Sequence, residues 1–320
     1  MLSQTKVVNG EMTKSKAKKK PTVLNTFKRD HQLWLMIIPA IAVILIFNYI
    51  PMYGIQLAFR DYDFSKGLTG GQWRGLFYFK QFFDSYLFWD LMRNTVTISL
   101  ATILLGFPAP IILALLINQL AGKRIKKILQ TTVYMPHFIS VVVMVGMLVV
   151  LLSPNTGVIG RLITASGLQN VNLLGSTKFF VPTYVLSDIW QHVGWNSIIY
   201  LAALSTVDPQ LYDSAKIDGA NRWQTIRNVD IPAIIPTIII LFVLSMGSVL
   251  STGFEKVFLM QNSLNLPVSE VIATYVYKIG IKSNQFSYSA AIGLFNTLIN
   301  FIFLYAMNAI SRRSTNNSLW

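Results

Sequence analysis

Six apolar windows separated by polar segments organise the 320-residue chain. They lie near 33–51, 94–119, 129–152, 179–204, 231–251 and 286–310, and each approaches or exceeds the ~20 residues a helix needs to cross hydrocarbon. None alternates continuously with period two, so helices are expected and a membrane β-barrel is not. The pattern therefore predicts an all-α integral membrane protein with six transmembrane helices. Pro108 and Pro110 fall inside the second window, remove backbone donors and predict a kink. The first window runs into YIPMYG without a small-residue cleavage site, which predicts a retained anchor.

Composition agrees with the windows. The chain is 53% hydrophobic and 12% charged, against roughly 25% charged in soluble domains. With six spans both termini share a side, and 17 of the 27 Lys and Arg fall on that side. The dense clusters Lys14–Lys20 and Lys123–Lys127 are among them, so the rule that cationic loops stay inside makes both termini cytoplasmic. The expected organisation is a Lys-rich tail over 1–31, a transmembrane domain over 32–313 and a short tail over 314–320. The net charge of +14 then reflects topology and contact with anionic membrane lipid, with no folded domain on which nucleic acid would sit. Aromatics crowd the segment 60–90 (Trp73, Phe77, Tyr78, Phe82, Phe83, Tyr86, Trp89), which fits an interfacial belt or a docking surface.

Polar residues inside the windows are few. Asp188, Gln191, His192 and Trp195 fall at i, i+3, i+4 and i+7, with Trp190 and Asn196 flanking. An ionisable group at membrane depth is costly and faces a polar cavity or a partner. A carboxylate, amides, an imidazole and indoles suit sugar, whose hydroxyls need donors and acceptors and whose ring face stacks on an aromatic. The same stripe also suits hydrogen bonding between helices, and both readings stand at this point. Asn296 and Asn300 form a second pair at i and i+4, and Gly247, Ser248, Ser251 and Thr252 a small-residue stripe suited to helix packing.

Several chemistries lack their residues. The sequence contains no G-x-x-x-x-G-K-[ST] loop, so the chain carries no ATPase of that kind. The three histidines, His31, His137 and His192, are scattered, and there is no cysteine, so neither a thiolate metal site nor a disulfide framework is expected. No G-x-S-x-G elbow is present. Only Asp188 among the acidic residues sits mid-window, which argues against a proton-coupled carrier. No catalytic residue, cofactor or metal is expected in this chain.

The polar insert YDSAKIDGANRWQTIRNVDIPAIIP, beginning at Tyr212, is the most informative segment. Asp208 before Pro209 is a helix start, and Gly219 supplies the permissive backbone that ends the helix about three turns later. Asp213-Ser214-Ala215, Gly219, Val229 and Ile231-Pro232 reproduce every spacing of the cytoplasmic coupling loop of ATP-driven importer permeases, with Asp for Glu and Ser for Ala. The chain thereby resembles the type I ABC importers. FNYIPMYGIQLAF, YMPHFIS, WQHVGWNSIIYLAAL, GFEKVFLMQN and ATYVYKIGI are similar to their LplB-type carbohydrate branch, related to the maltose-system membrane subunits.

That resemblance covers about 32–313 and implies a permease for oligosaccharides working by alternating access, with a non-sugar solute as the alternative. The implied partners are a second homologous permease, two copies of a cytoplasmic ATPase that carry ATP and Mg, and an extracellular solute-binding protein. It assigns coupling to loop 206–230 through Asp213, Ser214, Ala215, Asp218, Gly219, Ala220 and Pro232. The residues expected at substrate are Asp188, Trp190, Gln191, His192, Trp195, Asn196 and Asn296.

Overall fold

A computed structural model describes residues 31–68, 70–166, 172–251 and 253–315. The Lys14–Lys20 cluster, 167–171, Thr252 and 316–320 lie outside the described residues. The chain divides into two units, 1–54 and 55–320. Helices dominate, and among the described residues the only β pairing is two isolated bridges, Arg60 with Trp73 and Asp63 with Gly67.

Four helices are long and apolar enough to cross a membrane: α1 (Gln32–Phe59), α3 (Phe88–Asn118), α9 (Arg222–Met246) and α13 (Phe286–Arg313). The short helix α2 (Phe77–Phe83) precedes α3. Large apolar side chains face outward along these elements, among them Leu35, Leu104, Ile112 and Phe301, each more than half exposed. Such a surface is stable where the surrounding solvent is lipid.

The helices over the windows near 94 and 231 begin earlier than their apolar runs suggest, and both contain a π-turn. In α3 it spans Thr102–Gly106, just before Pro108 and Pro110, whose missing N–H groups release the preceding turn from regular pairing. In α9 it spans Ile226–Asp230, just before Pro232.

One window is not a continuous span. Residues 129–152 form two helices, α4 (Lys123–Phe138) and α5 (Val141–Leu152), bent by 96°. Pro136 sits in the last turn of α4, Ile139 is extended, and the Ser140 side chain caps the Val143 N–H to start α5 afresh. Counting this pair as one span brings the number to five.

Beyond α6 (Val158–Ala165) lies α7 (Phe180–Ser205), 26 residues and about 39 Å long. Its polar stripe leaves it less apolar than the four spans, yet nine of its 26 residues are buried. Phe180, Tyr184 and Val185 join Ile98, Val145, Val257, Met260 and Val271 in one core cluster. Tyr200 and Leu204 join Ala114, Leu115, Ile226 and Ile234 in a second. Burial against protein, not lipid, is what tolerates the polar residues. Gly194 lets α4 cross close by, since a Cβ there would lie 1.9 Å from the Val133 carbonyl oxygen.

The small-residue stripe at 247–251 is not on a helix. The helical part of α9 ends at Met246, and 247–250 are turns. Asn300 on α13 explains the stop: its side-chain oxygen accepts from the Leu250 N–H at 2.8 Å, and its amide donates to Ser251 Oγ at 2.9 Å. Three short helices follow, α10 (Phe254–Met260), α11 (Leu266–Ser269) and α12 (Ile272–Tyr277). The aromatics of 60–90 divide between two environments. Phe82 and Phe83 pack edge-on against Phe295 of α13, while Trp73, Tyr86 and Trp89 stay more than half exposed.

Candidate functional site

Polar groups converge in two places, a cavity beside the middle of α7 and a junction at the foot of α9. The cavity holds about 320 Å³ and is lined by Ser99 and Thr102 of α3, Tyr184, Asp188, His192 and Asn196 of α7, Ser245 in the last turn of α9, and Ser248 and Ser251 beyond it. A second concavity of about 610 Å³ adjoins it, sharing Gly106, Phe107 and Asn196 and adding Trp195. Both fall in the size range of ligand sites.

The sequence stripe separates into parts. Asp188, His192 and Asn196 line the first cavity, and Trp195 lines the second. Trp195 is also held from behind: its ring stacks on His137 at 4.5 Å between centroids and 4° between planes. That leaves the indole 43% exposed, with a fixed orientation.

Gln191 points elsewhere. It is 1% exposed and donates to the Ile139 carbonyl at 2.8 Å, closing the break between α4 and α5. Trp190 is half exposed and lines neither cavity, and Asn296 lies outside both, its buried side-chain oxygen without a hydrogen-bond partner among the described residues. Four of the seven expected substrate residues lie around these cavities, and Ser248 and Ser251, beyond the early end of α9, join them with Ser245 of its last turn.

Asp188 has a partner that no local spacing announces. Lys256 of α10, 4% exposed, places its ammonium 3.2 Å from the Asp188 carboxylate, 3.3 Å from the Tyr184 carbonyl and 4.9 Å from the Tyr184 ring centre. On the other side the His192 ring nitrogen is 3.6 Å from the same carboxylate oxygen and 3.1 Å from the Asp188 carbonyl. Asp188 is the only carboxylate in the cavity lining, and the lysine behind it offsets its charge. Toward the cavity, beside the apolar Ile103, Phe107, Ile189, Val193 and Val249, stand hydroxyls, an amide and an imidazole, able to donate and accept but with little net charge.

The second junction contains the insert. Asp208 adopts an extended backbone and accepts from the Gln210 N–H at 2.9 Å, starting α8 (Pro209–Ile217). Gly219, at φ +72°, takes the left-handed turn that ends it, with the Ala220 N–H reaching the Ala215 carbonyl at 2.9 Å. No other atom lies within 4 Å of a Cβ added at Gly219, so only the backbone demands glycine. Leu211, Ser214, Ala215, Asp218, Gly219 and Ala220 line one concavity of about 350 Å³ with Gln224, Asn228 and Val229. Asp213 faces outward in an exposed pair with Lys216 at 3.3 Å, and Pro232 opens the regular part of α9.

Sequence reasoning missed the centre of this junction. Asp230, fully buried, accepts from Tyr212 Oη at 2.6 Å, Gln119 Nε2 at 2.7 Å and Asn118 Nδ2 at 3.1 Å. Tyr212 rides on α8, and its phenol is pushed up to about 12 by burial and by donating to the Asp230 carboxylate. An acidic residue at the mouth of an apolar window was the available signal.

Residues 106–316 match the family of binding-protein-dependent transport system inner membrane components, and the chain belongs to it. It is 41% identical over 293 residues to Protein LplB of Bacillus subtilis (strain 168), covering 92% of each chain. It is 40% identical over 298 residues to the polygalacturonan/rhamnogalacturonan transport system permease protein YteP of the same organism, covering 93% of each. Among solved structures it is similar to a chain of a bacterial ABC transporter involved in import of the acidic polysaccharide alginate. The TM-score is 0.84 at 39% identity, covering 92% of this chain and 99% of that one. A chain of the alginate transporter in complex with an alginate pentasaccharide-bound periplasmic protein matches equally, with a TM-score of 0.84. The protein is thus a multi-pass inner-membrane transport component of the ABC permease class.

Proposed function

We propose that this chain is one of two homologous permease subunits of an ATP-driven importer that passes oligosaccharides inward from an extracellular solute-binding protein. The observation that carries this reading is the nearly neutral, hydroxyl-rich cavity on α7 with an oriented tryptophan beside it, in a chain of this family. Asp188, His192 and Asn196 offer acceptors and donors to sugar hydroxyls, and Trp195 offers an apolar face to a ring. Relatives named for polygalacturonan and alginate support oligosaccharides, acidic ones included, over peptides or polyamines.

The chain supplies six spans when α7 and the bent pair α4–α5 are counted with the four apolar helices, and both termini are cytoplasmic. The helix α8 docks on a cytoplasmic ATPase dimer, which holds the ATP and Mg. Asp213, Ser214, Ala215, Asp218, Gly219 and Ala220 make that contact, and Pro232 sets the start of the span behind it. Closure of the ATPases moves α8, opens the cavity outward to receive sugar, and hydrolysis returns it inward.

Trp195→Ala, in the complex purified with its partners and placed in liposomes, tests the reading. Uptake of oligosaccharide should fall at least tenfold while the complex stays assembled and its basal ATPase persists. Loss of assembly with uptake per intact complex unchanged would instead make Trp195 a packing residue, and absence of any co-purifying ATPase would remove the importer.

A further inference from the structure

At the carboxylate of Asp230 three segments meet through side chains. Tyr212 comes from α8, Asn118 and Gln119 from the end of α3, and Asp230 itself from the π-turn inside α9. The triangle is closed, because Asn118 Nδ2 also lies 3.3 Å from Tyr212 Oη. Lys126 of α4 donates to the Asn118 carbonyl at 2.8 Å, so the start of α4 is tied to the same corner.

We propose that Asp230 is the positioning residue that makes α8 move as one body with the ends of α3 and α9, converting displacement of the helix into displacement of the spans. This deepens the coupling role given to α8 above and rests on it. The spacing shared with importer permeases leaves the place between Val229 and Ile231 unspecified, so that pattern assigns Asp230 nothing.

The physical argument is one of alternatives. A fully buried carboxylate has no water to replace a lost donor, and no Lys, Arg or His pairs with it among the described residues. If α8 shifted alone, the carboxylate would lose its shortest hydrogen bond, leaving Oδ1 with only the longer one from Asn118 and no solvent to replace the phenol. If α3 shifted alone, two amides would be withdrawn instead. Moving together keeps every bond, so the junction resists shear while permitting rotation of the whole corner. The π-turn contributes by its geometry: the Ile231 N–H bonds the Ile226 carbonyl five residues back, and the wide turn carries Asp230 inward.

The test compares uptake per ATP hydrolysed in the complete complex, reconstituted with partner permease, ATPases and binding protein. Asp230→Asn keeps the volume but turns one acceptor into a donor facing donors. The expected result is an assembled complex that hydrolyses ATP while uptake per ATP falls at least tenfold. Tyr212→Phe and Gln119→Met remove one donor each and should lower the same ratio by a smaller factor, with Tyr212→Phe adding nothing once Asp230→Asn is present. If Asp230→Asn fails to assemble, the two single-donor variants decide. An unchanged ratio in all assembled variants would overturn the proposal, as would equal loss of hydrolysis and uptake. A normal ratio in Asp230→Asn beside a lost one in Gly219→Val removes only the link through Asp230. Normal uptake by Gly219→Val removes the coupling role of α8 itself.

Discussion

Asp188 and Asp230 are both carboxylates inside a helical bundle, and they are satisfied by opposite means. Asp188 is compensated by a buried cation, Lys256, and keeps 26% of its side chain open to the cavity. Asp230 is fully enclosed and compensated by three neutral donors. A cation cancels charge without demanding one geometry, since Coulomb attraction falls slowly with distance. Neutral donors bring no opposite charge and hold a carboxylate only at hydrogen-bond distance and angle. The first arrangement suits a surface that must admit a ligand and release it, and the second suits a joint that must not slip.

The contrast is broken most forcefully at Lys256. Lys256→Met leaves Asp188 facing the cavity without its cation, and losing one partner of a buried pair costs about 3–5 kcal/mol. Partial exposure of Asp188 puts this case near the lower end, about 3 kcal/mol, read as thermal stability of the purified complex. Asp188→Asn combined with Lys256→Met removes both charges and should recover most of the loss. A single variant as stable as the parent would mean that the lysine does not balance Asp188. No such paired rescue exists for Asp230, whose partners are uncharged.

Legibility in the sequence followed the same division. Elements whose cause is local were readable: the Asp208-Pro209 start, the Gly219 stop, four of the apolar spans and the family itself. The break at 139–140 was partly written locally, in Pro136 and Ser140, but its closing bond comes from Gln191, 52 residues away. Gln191 consequently left the substrate stripe, because helical spacing places residues on a face without saying which neighbour that face meets. The early end of α9 depends on Asn300, and the charge balance of Asp188 depends on a lysine 68 residues on. Tertiary partners of this kind have no period, so pattern reading cannot find them. Asp230 was missed for a different reason: one acidic residue next to a polar loop looks like part of the loop.

The next effect in size separates backbone from space at Gly219. Its φ of +72° is costly for a residue with a Cβ, roughly 1–2 kcal/mol, and worst when the side chain is β-branched. Gly219→Val should therefore displace α8 and weaken ATPase attachment, measured as ATPase retained on the purified permease pair. Because a Cβ meets nothing within 4 Å in this chain, Gly219→Asn should behave close to the parent. Equal failure of both variants would place a partner surface against Gly219, and equal success would make the loop a linker.

The smallest effect belongs to a third carboxylate, Asp61, which is only about two-thirds covered and serves as the surface counterpart of the other two. It accepts from Tyr78 Oη and, at 2.8 Å, from Arg74 Nε. The Tyr78 hydrogen bond, and after it the Arg74 pair, hold its pKa below the ordinary 3.8. A depressed carboxylate stabilises the fold above its unfolded value and loses that contribution as pH falls through the folded one. Comparison of the parent with Asp61→Asn should then show a stability gap that is constant at neutral pH and closes as pH drops below about 4. The gap should stay under about 1 kcal/mol, because solvent screens an exposed pair. If the gap matched that of Lys256→Met, burial would not be what sets the energetic rank of these carboxylates. If it persisted unchanged to pH 2, the ionised form of Asp61 would not be the species that Arg74 and Tyr78 hold.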